Sequence, residues 1–181
     1  MPAPADSPDR PDPTPLAGFP DASDTPSSTD LAVDQEIELF LSLCRTATLA
    51  TVDDEGHPHA ANVQVVHGPG WALQWTSAPA SAHSQHLGDR PHVAMTLYAH
   101  RDDPASIHGL QLHGRVDPPV GVDHPDWPTL WDRYVGKYGF VASTPKLKKA
   151  AERQRFYVFR PTWLRWIDNR RAFGWKSEKT L

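Results

Sequence analysis

The feature that most constrains this chain is a succession of short apolar and β-branched runs, each closed within a few residues by a turn. Residues 46–52 (TATLATV) end at Asp53-Asp54-Glu55-Gly56. Residues 57–67 (HPHAANVQVVH) end at Gly68-Pro69-Gly70, and residues 71–75 (WALQW) follow at once. Two more runs, 92–98 (HVAMTLY) and 107–116 (IHGLQLHGRV), flank a polar loop. The last two, 155–159 and 163–167, are separated by Pro161, which has no backbone N–H to give to a ladder. Runs of this length and residue type predict antiparallel strands. So many short strands favour closure into a barrel, because an open strand edge is a template for aggregation. The expected fold is mainly β with flanking helices, an α+β arrangement around an antiparallel barrel. A doubly wound parallel sheet is not expected, since the chain has no G-x-G-x-x-G or P-loop sequence.

Helices are expected in the gaps. Asp30 is a candidate N-cap for a helix through Cys44, with Leu31, Ile37, Leu39, Phe40, Leu43 and Cys44 as a broad apolar face. Residues 81–87 read as a short helix stopped by Gly88 and Pro91, residues 126–138 as a longer one, and residues 145–153 as a basic one. Cys44 is the single cysteine; it excludes an internal disulfide and reads as a small buried hydrophobe. Residues 1–30 hold 8 of the 19 prolines and 6 aspartates. Such a segment buries too little apolar surface to offset its ordering entropy, so a disordered tail is expected there and one folded domain over 31–181. The start, MPAPADSPDR, has neither a basic leader nor an apolar signal core, and no apolar run approaches the roughly 20 residues of a membrane span. A cytoplasmic setting is expected. The net charge of −4 excludes an overall basic nucleic-acid binder, although residues 145–181 carry 11 Lys and Arg against 3 Asp and Glu.

Four blocks in order, LATVDDEGHPHAANVQVV, WTSAPASAHSQHLGDRPHVAMTLY, GLQLHGRV and FYVFRPTWLRWIDN, resemble the pyridoxamine 5′-phosphate oxidase-like FMN-binding split barrels. The resemblance covers about residues 37–178, and HSQHLGDRPHVAMTLY, IHGLQLHGRV and IDNRRAFGWKSE look closest to a poorly characterised YhbP-like branch. It implies a six-stranded split barrel, a homodimer, and FMN sites at the subunit interface. In that family a Thr-Ser pair closing the third strand and a Ser-Arg-Lys stretch on the next helix hold the FMN phosphate. Thr76 and Ser77 match the pair, Ser81 matches the serine, and Ala82 and His83 stand at the Arg and Lys positions. Two further cationic positions of the family fall at about Ala61 and near Val66.

The resemblance thus implies a phosphate held by Thr76, Ser77, Ser81 and His83, helped by backbone N–H groups near the start of 81–87. Arg170, Arg171 or Lys176 would complete the grip across a dimer interface. Ala61, Asn62 and Val63 would lie against the ring through backbone groups. Trp166 matches the family tryptophan that borders the flavin, and Lys176 falls where the family has an arginine. Gln111 lies on the strand face of a family glutamine, displaced by two residues. The family's substrate-binding Arg-x-His is replaced by Ala172-Phe173-Gly174, so pyridoxamine 5′-phosphate oxidation itself is not implied.

Blander readings stand beside these. His57 and His59 share a strand face, and His83 and His86 share a helix face at i, i+3, but no HExxH motif or clustered carboxylate accompanies them. No metal is expected, and His57 and His59 read as solvated residues flanking a turn. Trp71, Trp75, Trp131 and Trp163 read as core or interface residues. The run Lys146, Lys148, Lys149, Arg153 and Arg155 reads as a solvated helix face, and Asp168-Asn169 as a turn with Asn169 left-handed. Ser81 and His83 lack the orienting acid of a catalytic dyad, and no catalytic residue is assigned. The function expected is a flavin-dependent oxidoreductase of unknown substrate. The alternatives are a heme-binding or deazaflavin-binding barrel, or a stress-related binding protein without enzymatic activity.

Overall fold

The computed structural model describes residues 33–99 and 102–181; the expected tail, the N-cap at Asp30 and Leu31 lie outside the described residues. Helix α1 (Val33–Leu43) opens the described chain and buries Ile37, Phe40 and Leu41. That i, i+3, i+4 spacing makes one narrow stripe. The face is narrower than the sequence implied: Leu39 and Leu43 are 54% and 71% exposed.

Eight strands form one antiparallel sheet: β1 (Thr46–Val52), β2 (Pro58–Gln64), β3 (Val66–His67), β4 (Leu73–Ser77), β5 (His92–Ala99), β6 (His108–Val116), β7 (Arg155–Asp168) and β8 (Lys176–Thr180). Their order is β2-β1-β5-β6-β7-β4-β3, with β8 added on β7. The two ends of this order, β2 and β3, are separated in sequence by Val65 alone. One bent segment therefore pairs with β1 at its start and with β4 at its end, which curls the sheet into a barrel. The bend is fixed by Val65 N donating to Arg45 O (2.9 Å) and by the Tyr138 hydroxyl, 2.8 Å from Arg45 O and 3.1 Å from Val65 O. Burial pushes that phenol up to about 12.

The count of eight departs from the six expected. The 57–67 run breaks at Val65 into two ladders, and β8 is an extra strand; with β2 and β3 taken as one bent strand the count is seven. Conversely, the two runs separated by Pro161 are one continuous strand. Continuity survives the proline because the β6 ladder shifts register between His113 and Gly114, absorbing Thr162 as an extra residue. Gly114 is required there: a Cβ would overlap Arg160 O and come within 2.7 Å of Pro161 Cα.

Inside the barrel Leu49, Leu73, Trp75, Met95, Leu97, Leu110, Phe159, Leu164 and Trp166 are almost fully buried. A second cluster forms outside β7, where α3 (Trp127–Lys137) and α4 (Gly139–Ser143) set Leu130, Tyr134, Tyr138 and Val141 against Phe156. Helix α5 (Pro145–Ala151) carries Lys146, Lys148 and Lys149 of the basic run and buries nothing fully, but it ends before Arg153, and Arg155 opens β7 rather than extending a helix face. Cys44 is half-buried, and its burial pushes the thiol up to about 11. No helix among the described residues is long and apolar enough to cross a membrane.

Candidate functional site

The short helix α2 (Ala82–His86) lies across one end of the barrel, between the end of β4 and the β1–β2 hairpin. Alternation along β4 decides which side chains meet it. Leu73 and Trp75 point into the core, so Ser77 follows on the inner face at the rim, whereas Gln74 and Thr76 point outward. The Gln74 amide donates to Leu130 O (2.7 Å) and its carbonyl accepts from Arg133 (2.9 Å), which seats α3. Thr76 bonds Gln154.

At the rim a hydroxyl–imidazole cluster forms. Ser77 Oγ lies 2.6 Å from His83 Nε2 and 3.1 Å from Ser81 Oγ. Ser81 Oγ lies 3.2 Å from His83 Nε2, 2.8 Å from Ser84 Oγ and 2.9 Å from Ala78 O. The structure thus brings Ser77, Ser81 and His83 together, with Ser84 as a member that the sequence reading omitted. Thr76 is adjacent in sequence, but its hydroxyl turns away. Burial, with a smaller contribution from His86, holds the His83 imidazole below its ordinary range, favouring the neutral ring.

The far side of α2 makes a second polar group. His86 Nδ1 lies 2.9 Å from Thr51 Oγ1, and its ring packs against His59 at 4.6 Å. His59 Nε2 lies 2.9 Å from Asp53 Oδ2, which is also 3.3 Å from His57 Nδ1. Asp53 Oδ1 accepts the His57 backbone N–H at 2.8 Å. His57 and His59 are therefore exposed but not merely solvated: Asp53 ties both to the turn. The contacts that Thr51, Asp53 and His86 make are not announced by the sequence, because the partners lie across the hairpin or 35 residues away. The two histidine pairs do not converge on one point. Among the described residues, the group whose potential metal-ligand atoms lie within 4.8 Å of one another is Asp53, Glu55 and His57.

Among the described residues strand β2 pairs only with β1, so the other edge of Ala61, Asn62 and Val63 carries no ladder from them, although β4 runs nearby. Val63 is buried, Ala61 is half-buried, and the exposed Asn62 accepts from Thr48 at 3.0 Å. Strand β4, whose last residue is Ser77, lies across this split from β2. The remaining expected residues lie elsewhere on the same chain. Lys176 faces Ile167 and Ser177 faces Trp166, about twelve positions along β7 from Arg155, the partner of Ser77, or on the order of 40 Å of strand. Gln111 is on the outer face of β6, 3.2 Å from Arg165. Trp166 is 1% exposed and packs edge-on against Phe40 (5.0 Å) and His108 (5.8 Å), so within one chain its ring presents no face to a ligand.

Two arginines expected near the phosphate are occupied. Arg170 makes a forked pair with the buried Asp168 (2.7 and 2.8 Å), which raises the guanidinium pKa further, and Arg171 reaches Glu36 at 2.5 Å. Asn169 is not left-handed; among the described residues Trp71 is the one non-glycine with positive φ. The Asn169 side chain instead joins Pro104 O to Gly174 N at 2.9 and 3.0 Å.

Two cavities flank Asp117-Pro118, of about 210 Å³ beside Ser84, Leu87 and Tyr157, and about 490 Å³ beneath Leu130 and Arg133. Ser84 of the cluster lines the smaller of these, whereas Ser77, Ser81 and His83, half-buried at the rim, line neither.

A family model described as pyridoxamine 5′-phosphate oxidase matches residues 33–168. No curated protein matches the chain. Among solved structures it is similar to the protein Atu2129 of unknown function from Agrobacterium tumefaciens, with 24% identity and a TM-score of 0.61 over 75% of this chain. That match spans only 57% of Atu2129. It is similar to a heme binding protein from Mycobacterium smegmatis (19% identity, TM-score 0.61), covering 83% of this chain and 58% of that one. A FAD-binding protein from Mesorhizobium loti matches at 15% identity and a TM-score of 0.57, over 74% of this chain and 92% of that one. At these identities the likeness shows a shared fold.

Proposed function

Since this chain belongs to the pyridoxamine 5′-phosphate oxidase family, we propose that it binds FMN at the split between β2 and β4 and serves as a flavin-dependent oxidoreductase. The observation that carries this reading is the convergence of Ser77, Ser81 and His83 on one rim, across the split from a strand edge that the described residues leave unpaired. Three hydroxyls and an imidazole are a donor set suited to phosphate oxygens, and their present partners are mainly one another. When bound, the flavin supplies hydride and electron transfer. Ser77, Ser81, Ser84 and His83 orient its phosphate, while backbone groups of Ala61, Asn62 and Val63 lie along its ring. Ala172-Phe173-Gly174 offers no cation to a pyridoxamine phosphate, so the substrate is a different one.

The reading includes a homodimer that covers the rim and brings Trp166, Gln111 and Lys176 of a second copy toward the split. The outer sheet face favours self-association. Ala50 sits opposite both Ala60 and Ala94, and Thr48 opposite both Asn62 and Thr96, with no charged side chain among them. Charge depletion over such a face is the compositional mark of an interface. Placing a charge at its centre with Ala50→Glu is expected to yield monomers in light scattering; an unchanged dimer places the interface elsewhere.

A heme-binding reading is favoured by the likeness to the Mycobacterium smegmatis protein and by four histidines at the same barrel end. Titration with FMN and with hemin separates the two. A flavin spectrum retained through re-isolation supports the proposal, whereas a Soret band with no flavin uptake replaces it.

A further inference from the structure

We infer that the phosphate grip of this chain is proton-linked: the cluster takes a phosphate monoester dianion together with one proton, and His83 carries that proton. The inference rests on the FMN reading above and concerns how the same site is regulated.

Ser77 and Ser81 place their oxygens 2.6 and 3.2 Å from His83 Nε2, and Ser84 bonds Ser81 behind them. Hydroxyls donate to an anion but do not neutralise it. Among the described residues no Lys or Arg side chain bonds Ser77, Ser81 or His83. The nearest candidate on β7, Arg155, is the cross-strand partner of Ser77, but its guanidinium packs beside Gly121 and bonds Gln154 O at 3.3 Å. On α2 the other titratable group is His86, engaged with Thr51 and His59. From the β1–β2 hairpin the charge beyond it is Asp53, held by His59 and His57. His83 is thus the group on this rim that can change its charge in direct contact with a phosphate.

In the free protein, burial and His86 favour the neutral ring. A dianion within hydrogen-bond distance favours the imidazolium and strengthens its bond to phosphate. Between those two conditions one proton is taken up on binding, so affinity falls up to about tenfold for each unit rise in pH. Phosphate protonation, with a second pKa near 6, sets the lower limit of the window.

The experiment is FMN titration by flavin fluorescence from pH 6.5 to 8.5 on the full chain and on His83→Gln, His83→Lys and His86→Gln, with riboflavin as the ligand lacking phosphate. The wild type is expected to lose at least fivefold in affinity across the range, and His86→Gln to keep that slope. His83→Gln is expected to bind weakly and without slope. His83→Lys, a fixed cation, is expected to bind more tightly than wild type at pH 8.5, also without slope. Riboflavin affinity is expected to be flat with pH. FMN binding that is flat in the wild type, or a slope that persists in His83→Gln, overturns the inference and leaves the FMN reading standing. Absence of FMN binding in every variant at every pH overturns the FMN reading, and the inference with it.

Discussion

The two ends of strand β7 are finished in opposite ways. At the Asp168 end, a carboxylate that is 1% exposed is gripped by Arg170, while Arg171 reaches across 135 residues to Glu36 on α1. At the Arg155 end, the neighbouring strand stops in Ser77, and the polar groups are hydroxyls and a neutral imidazole bonded mainly to one another. Ionic saturation locks the first end, because a buried carboxylate without its cations is strongly unfavourable. The second end keeps donors that can be re-aimed at an incoming anion without breaking any ion pair. The contrast suits the first end to a structural role and leaves the second as the end that the proposed FMN binding would use.

The largest effect is expected from removing the lock. Arg170→Ala strips the forked pair from a carboxylate that stays buried, and should lower unfolding free energy by about 3 kcal/mol in urea denaturation. The same variant should leave the Ser77–His83 rim intact. A loss below about 1 kcal/mol would erase the distinction between the ends.

Cradle substitutions should behave in reverse. Ser81→Asp sets a carboxylate against the phosphate and should weaken FMN binding at least about tenfold. Its urea midpoint should stay close to wild type, since the Ser81 hydroxyl bonds residues within four positions of it in the chain, Ser77, Ala78, His83 and Ser84. Unchanged FMN affinity would remove Ser81 from the site.

Much of this contrast was legible in the sequence on one side only. The runs at 46–52, 92–98 and 107–116 became β1, β5 and β6 almost to the residue, because β-branched alternation bounded by Asp-Gly and Pro turns is a local signal. Ser77, Ser81 and His83 fell together because they are separated by a single tight turn. What escaped depends on distant partners. The KSEKT strand carries too much charge to read as β, and it exists because β7 offers an edge and Arg165 pairs with Glu178 at 2.9 Å. The enclosure of Trp166 depends on Phe40 of α1, and the Arg171 pair on Glu36, neither of which the 163–171 segment announces. Pro161 signalled a break that the register shift at Gly114 absorbs.

The hairpin beside α2 gives a smaller, pH-dependent effect. The hydrogen bond from His59, followed by the backbone N–H and charge of His57, holds the Asp53 carboxyl well below the usual carboxylate range. Its folded value lies below its unfolded value near 4, so the stabilisation is complete above that pH and is lost as pH falls further. Asp53→Asn should therefore be less stable than wild type at pH 6, with the difference closing in thermal melts below about pH 4. A difference that is constant with pH would mean that the turn, not the charge, matters.

The smallest effect is expected in the apoprotein. The His83 ring is held below its ordinary value, so the folded state resists its protonation and stability declines as pH falls through about 6.5. His83→Gln should remove part of that decline without altering the melt at pH 8.

The central claim is that the hydroxyl–imidazole rim holds a flavin phosphate. The most direct test is the visible absorbance spectrum of the full chain after incubation with excess FMN and re-isolation, run beside riboflavin and beside Ser81→Asp. The account predicts a flavin spectrum for FMN alone, lost with riboflavin and in the variant. A colourless wild-type protein after FMN treatment, or equal retention of riboflavin, would contradict it.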